Sequence, residues 1–140
     1  MNDTCIFCAI AAGEAPAQVI GETERTLTIL DLRPAADGHA LVIPKRHCAD
    51  ALDCPDDILG ELIAEAAKTA RLLKERLGAS GVNILNANGR TAQQTVFHLH
   101  FHVVPRYDGD GLDLQLHGRL SRAPLDEVRR RLLASDPIDS

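Results

Sequence analysis

The stretch from Thr95 to Arg106, reading Thr-Val-Phe-His-Leu-His-Phe-His-Val-Val-Pro-Arg, constrains this chain more than any other. His98, His100 and His102 alternate there with Phe97, Leu99, Phe101 and Val103. Strict period-two alternation in a run rich in β-branched and aromatic residues is the pattern of a strand. Successive side chains on a strand point to opposite faces, so the three imidazoles share one face and the apolar set packs on a core. Folding by itself asks for no row of titratable rings. Two chemistries use one: metal ligation by imidazoles, or attack by a neutral imidazole whose neighbours handle charge and protons.

The 140 residues suit a single domain spanning 1–140, large enough for a real core. No apolar run approaches the ~18 residues of a membrane span. The start, Met-Asn-Asp-Thr-Cys, lacks the basic region and apolar run of a secretory signal. The expectation is a soluble cytoplasmic protein with no membrane contact. A net charge of −5 argues against broad electrostatic binding of nucleic acid. Any phosphate site must therefore be local and built from directed groups. In a cytosolic setting Cys5, Cys8, Cys48 and Cys54 read as thiols or metal ligands rather than disulfides.

Cys5-Ile-Phe-Cys8 alone is half of a zinc site, or a redox pair. No second Cys-x-x-Cys follows, so further ligands must be histidines, drawn from His39, His47, His98, His100, His102 and His117. Residues 9–14 suggest a short helix stopped by Gly13. Gln18–Gly21 and Thr26–Leu30 read as strands around a polar turn. His39–Lys45 reads as a third, apolar enough at its centre for burial on both faces. Pro55 opens one long helix with Asp53 or Cys54 as cap, and Gly78 stops it. Leu59, Leu62, Ile63, Ala66, Ala70, Leu73 and Leu77 form its apolar stripe. Gly81–Leu85 is a short strand, and Pro124–Leu133 a short helix with Leu125, Val128 and Leu132 inward. Strands, one helix, then strands again give an α+β layout with a mostly antiparallel sheet.

His-x-His-x-His followed by two apolar residues resembles the signature of the histidine triad (HIT) family of nucleotide hydrolases and transferases, and the likeness runs from Cys5 to Arg106. The ending Val-Pro-Arg is similar to the branch holding many bacterial members and the diadenosine polyphosphate hydrolases, more than to the phosphoramidase branch, which ends in glycines. The resemblance implies a HIT-like fold with a five-stranded sheet, one long helix and short terminal helices, and a homodimer in which two sheets join. It implies a purine nucleotide substrate, with cleavage at the α-phosphate of nucleoside 5′-phosphoramidates, dinucleoside polyphosphates or nucleotidyl adducts. His100 corresponds to the nucleophile that carries the nucleotidyl group, and His102 to the residue that contacts phosphate and helps the leaving group depart. Gln94 and Thr95 match the Gln-[Ser/Thr] that offers donors to phosphate, His39 a separate fourth histidine, and Asp31 the acid that holds the ribose hydroxyls.

Cys5, Cys8, His47 and His98 make a Cys₂His₂ set, the composition of closed structural zinc sites. Galactose-phosphate nucleotidyltransferases and some bacterial HIT proteins resemble this combination, so residues 1–15 form the expected zinc-binding segment and 107–140 a tail. No organic cofactor is implied. Two other classes compete: a metalloenzyme with catalytic zinc on His98, His100 and His102, and a nucleotide-binding interaction protein with vestigial turnover. Against the former, ligands at i, i+2 and i+4 on a flat strand converge poorly on one tetrahedral ion. Three departures from the family pattern stand out, one being that the segment after Arg106 has no counterpart in it. Gln93 replaces the usual glycine before Gln94, and Ala87 an asparagine, so a phosphate contact there would need Asn86 or Asn88.

Overall fold

The computed structural model describes residues 4–114 and 123–134. Helix α1 (Ile6–Ala11) precedes strands β1 (Val19–Glu22), β2 (Thr26–Leu30) and β3 (Ala40–Pro44). Helix α2 (Asp56–Leu77) leads to β4 (Gly81–Leu85), β5 (Phe101–Arg106) and α3 (Leu125–Leu132). The five strands form one antiparallel sheet in the order β1-β2-β3-β5-β4. The α+β layout expected from the pattern is observed, and so are the five-stranded sheet and single long helix that the resemblance implies. His117, one of the candidate ligands, lies outside the described residues, as do parts of the tail. Among the described residues no helix is long and apolar enough to cross a membrane.

β3 runs through the middle of the molecule, and all five of its residues are buried. Ala40 and Val42 face α2, joining Ile58, Leu62, Ala66, Leu73, Leu99, Phe101 and Val103 in the larger core. Leu41 and Ile43 face the other way, packing with Leu27, Ile29 and Phe7 of α1. Alternation along β3 thus feeds two cores, which explains its near-continuous apolar sequence. Gly38, at φ +97°, lets the chain enter β3 hard against α2. A Cβ there would lie 2.6 Å from Leu77 Cδ1 and 2.9 Å from Leu73 Cδ2.

The structure corrects the helices in four places, the first being α1, which runs Ile6–Ala11 and so lies three residues ahead of the expected 9–14. The buried stripe of α2 is Ile58, Leu62, Ala66, Thr69 and Leu73, while Ile63 and Leu77 are exposed. Thr69 enters because its hydroxyl donates to the Glu65 carbonyl at 2.9 Å and needs no outside partner. Neither Asp53 nor Cys54 caps α2: Pro55 holds the N-cap position, and Asp53 instead accepts from Ala49 and Asp50 in the preceding turn. Two acids in the first turn, Asp56 and Asp57, still favour the positive end of the helix. Arg25, from the β1–β2 turn, grips α2 through Asp57 (2.8 Å) and both oxygens of Glu61 (2.7 and 3.0 Å). Finally, Leu125, Val128 and Leu132 of α3 are not inward, since the helix buries no residue.

Candidate functional site

The histidine row keeps its sidedness but not its regular strand. β5 begins only at Phe101, and the backbone from Val96 to His100 is irregular. Leu99 still donates its N–H to the Cys48 carbonyl at 2.7 Å. Leu99, Phe101 and Val103 face α2, and the three imidazoles face α1, as alternation requires. Phe97 is the exception: it is 45% exposed, with the Arg90 guanidinium 5.9 Å from its ring centre, rather than in the core.

His98 and His100 diverge into two sites. The His98 ring is fully buried, and its Nδ1 lies 3.3 Å from Cys5 Sγ, 3.5 Å from Cys8 Sγ and 3.2 Å from His47 Nδ1. Cys8 Sγ is 3.2 Å from His47 Nδ1, and all four atoms lie within 4.8 Å of one another. One ring nitrogen cannot serve three neighbours as hydrogen-bond partners, but one cation at their centre serves all four. A tetrahedral zinc, with nitrogens at about 2.0–2.1 Å and sulfurs at about 2.3 Å, spaces its ligand atoms about 3.3–3.8 Å apart. The Cys5–His98, Cys8–His98, Cys8–His47 and His47–His98 spacings, 3.2–3.5 Å, sit at or just below the short end of that range. The opposite face of His98 fixes the tautomer, because Nε2–H donates to the Pro44 carbonyl at 2.8 Å and leaves the Nδ1 lone pair for a metal. Burial, the largest cause, holds the pKa of His98 below its ordinary value. The same engagement takes His98 away from any metal shared with His100 and His102.

His100 and His102 line a cleft of about 360 Å³ together with Asp31, Thr95 and an apolar wall that includes Ile6, Phe7 and Ile10. Their rings meet edge-on, with centroids 5.0 Å apart. His100 Nδ1–H donates to the His98 carbonyl at 2.8 Å, so its Nε2 carries the free lone pair. Asn86 Nδ2 donates to the His100 carbonyl at 3.0 Å, which pins the backbone beneath the ring. Asn88 bonds Asn86 Oδ1 and the Ala51 N–H. Both asparagines are therefore committed to backbone support, and neither stands in for the side chain missing at Ala87.

His39 lies behind His102 rather than in the cleft lining. Its Nδ1 accepts from the Ala35 N–H at 2.9 Å, which puts the ring proton on Nε2. Nε2–H then faces His102 Nδ1 at 2.9 Å, with Asp31 Oδ2 at 3.4 Å. His102 accepts at Nδ1 and keeps its own proton on Nε2. This ordering also argues against a metal on Asp31, His39 and His102, although their donor atoms cluster. Binding at His39 Nε2 would move the proton to Nδ1, against the Ala35 N–H. Burial, then His100 and His39, push the pKa of His102 down to about 4, and burial lowers that of His39 against the pull of Asp31.

Gln94 departs from expectation. It is buried, and its amide is fully engaged: Oε1 accepts from Gly89 N–H at 2.8 Å, while Nε2 donates to the carbonyls of Ala49 (2.7 Å) and Val96 (3.0 Å). The residue ties three backbone segments together beside Thr95 and has no donor left for a phosphate. Gln93, just before it, takes a left-handed conformation at φ 74°. Sequence reasoning missed the contributions of Ala35, Pro44 and Phe7. The first two act through backbone atoms, and Phe7 was hidden between two cysteines.

An imidazole row on an antiparallel sheet, with one ring turned to a Cys/His cluster and two to a cleft, defines a histidine triad domain. The chain belongs to the HIT family, whose domain model matches residues 12–109. It is 46% identical over 128 residues to an uncharacterised HIT-like protein of Methanocaldococcus jannaschii, covering 91% of this chain and 98% of that one. It is 40% identical over 109 residues to the adenosine 5′-monophosphoramidase of Candida albicans, covering 75% of this chain and 72% of that enzyme. A zinc-bound histidine triad family protein from Mycobacterium smegmatis has the same fold, with a TM-score of 0.77 and 46% identity over 82% of this chain and 84% of its own.

Proposed function

We propose that the protein is a nucleotide hydrolase that cleaves at an α-phosphate through a nucleotidyl intermediate on His100. The observation that carries this reading is the His100 tautomer: Nδ1–H is committed to the His98 carbonyl, so the Nε2 lone pair is left at the cleft. An uncharged nucleophile meets no repulsion from the phosphate oxygens. His100 Nε2 forms the bond to phosphorus, the bond to the leaving group breaks, and water later displaces the nucleotide from the ring. His102 Nε2–H donates a hydrogen bond to the departing atom, held in that tautomer by His39. A phosphoanhydride leaves as a stable anion, whereas an amine must also take a proton. Thr95 offers a hydroxyl to phosphate. Asp31, with one oxygen partly held by the Arg33 N–H at 2.9 Å, accepts the ribose hydroxyls. Gln94 acts by tying the backbone of Gly89, Ala49 and Val96 together beside Thr95 rather than by touching substrate.

Phosphoramidates, dinucleoside polyphosphates and nucleotidyl adducts are the candidate substrates, with adenosine favoured by the named relative in Candida albicans. The Val-Pro-Arg ending favours the polyphosphate-cleaving branch. Arg106 gives that ending a structural use, since its guanidinium holds Asp110 and Asn83 and so fixes the following loop. Zinc on Cys5, Cys8, His47 and His98 would be structural, a filled four-ligand shell that braces α1 and the start of the triad. Exposed Ile84 and Leu85 on the edge strand β4, with Ile63 and Leu77 on α2, favour a homodimer joined there. Light scattering at micromolar concentration should give twice the monomer mass.

His100→Ala should abolish turnover of adenosine 5′-phosphoramidate and of a diadenosine polyphosphate while AMP binding stays within about tenfold, because deleting the nucleophile leaves the other contacts in place. Acid-labile, base-stable nucleotidyl adducts should map to His100 in quenched wild type. A His100→Ala protein that keeps its rate, or an adduct on another residue, would overturn the mechanism.

A further inference from the structure

We propose that the Cys5–Cys8–His47–His98 cluster is also the latch of the nucleotide cleft: a metal held there fixes α1 as the cleft's wall, so metal and nucleotide bind cooperatively. The inference rests on the zinc and nucleotide readings above and adds a coupling between them.

α1 is six residues long, too short to persist as a helix without tertiary support. Its two kinds of support lie on the same turns. Cys5, at the N-cap, and Cys8 point to the cluster, with Cys5 Sγ also accepting the Cys8 N–H at 3.4 Å. Ile6, Phe7 and Ile10 of the same helix line the cleft beside His100. Phe7 bridges the sites directly. Its ring stands edge-on to His98 at 5.8 Å and to His100 at 5.3 Å, so it touches one candidate ligand and the candidate nucleophile together. Without a cation, Cys5 and Cys8 lose their tie to His47 and His98, and only the packing of Phe7 and Ile10 on Leu27, Ile29, Leu41 and Ile43 is left to offset the entropy of ordering this segment. Nucleotide binding would then have to order α1 itself, and affinity would fall by that cost. The cluster is also reachable. A groove of about 290 Å³, lined by Cys8, Ala11, Ala12, Lys45, Arg46 and His47, opens onto its outer flank and gives a chelator access.

The test uses the full chain, zinc and AMP, which binds without turnover. Elemental analysis should give one zinc per chain. Calorimetry should show AMP binding at least about tenfold more weakly after the zinc is stripped. Competition with a chromophoric chelator should show saturating AMP tightening zinc by the same factor, because linkage is reciprocal. Hydrogen exchange should speed up across residues 6–11 in the stripped protein, with α2 unchanged. Phe7→Ala keeps all four ligands, so the effect of AMP on zinc affinity should shrink to less than about threefold. That variant decides the matter even if the stripped chain unfolds. AMP affinity unchanged on stripping, or full coupling persisting in Phe7→Ala, overturns the latch while leaving both sites standing. A chain that takes up no zinc removes the metal reading, and a zinc-loaded chain that ignores AMP removes the nucleotide reading. Either result removes the latch as well.

Discussion

Gln94→Glu separates a phosphate-binding glutamine from one that holds backbone. The substitution is nearly isosteric and preserves the acceptor for the Gly89 N–H, but it replaces the amide donor that serves Ala49 and Val96. An ionised carboxylate there would face two carbonyl oxygens in a buried site. The cheaper course is to take up a proton. At pH 7, protonating a group of ordinary pKa near 4.3 costs about 2.7 × 1.36, or about 3.7 kcal/mol. The resulting acid has one donor where the amide had two, which loses about 1 kcal/mol more. The variant should therefore be destabilised by about 4–5 kcal/mol at pH 7. Because the larger part is a protonation cost, the deficit relative to wild type should shrink by about 1.4 kcal/mol for each pH unit down to about 4.5. Urea unfolding of both proteins, uniformly zinc-loaded at pH 7 and zinc-free across the pH series, measures this. A deficit below about 1 kcal/mol that ignores pH, combined with a tenfold rise in KM, would mean that Gln94 works on the phosphate after all.

Gln93→Gly should stabilise the fold by up to about 1 kcal/mol, the relief of a left-handed side-chain residue less the entropy glycine adds to the unfolded chain. A urea midpoint that falls would show that φ 74° carries no strain. His102 makes stability depend on pH. Its folded pKa is about 4 against about 6.5 unfolded, so its contribution is complete above pH 6.5 and is lost as pH falls toward 4. His102→Gln should flatten the unfolding free energy in that window, and an unchanged slope would count against the buried neutral ring. Turnover carries a related signature: phosphoramidate cleavage needs a proton that a neutral His102 must first acquire, so it should decline with rising pH more steeply than polyphosphate cleavage. Parallel profiles would remove His102 from leaving-group protonation.

Much of the fold was legible in the sequence because its signals are local. Gly78 ends α2 in the left-handed conformation, Thr26–Leu30 and Gly81–Leu85 match their strands, and the continuous apolar run of β3 is buried on both sides. The phase of α2 was harder to read. An apolar residue such as Ile63 fits a stripe by spacing, and only the sheet decides whether Ile58 or Ile63 turns inward. α3 shows the same limit, for a strong amphipathic pattern does not supply a surface to cover. At the site, residue types and spacing marked the imidazoles, the cysteines and Asp31. They did not mark which nitrogen of each ring carries the proton. That depends on the Pro44 and His98 carbonyls and on the Ala35 N–H, backbone atoms that any residue would provide. Gln94 shows a similar limit: its amide suits phosphate and backbone equally well, and burial favours the backbone role.

The strand order has a kinetic consequence. β1, β2 and β3 form a meander of neighbours in sequence, but β3 meets β5 through the pairing of Val42 with Phe101, about sixty residues apart along the chain. Closing that loop costs entropy before any contact repays it, so the topology predicts that this pairing forms late. His39 precedes β3 and His102 lies within β5, and their rings meet across that seam. Cys8 finds His98 only when the seam has closed. Both clusters of reactive side chains therefore come into being in the same late event, and a nascent or partly folded chain displays neither.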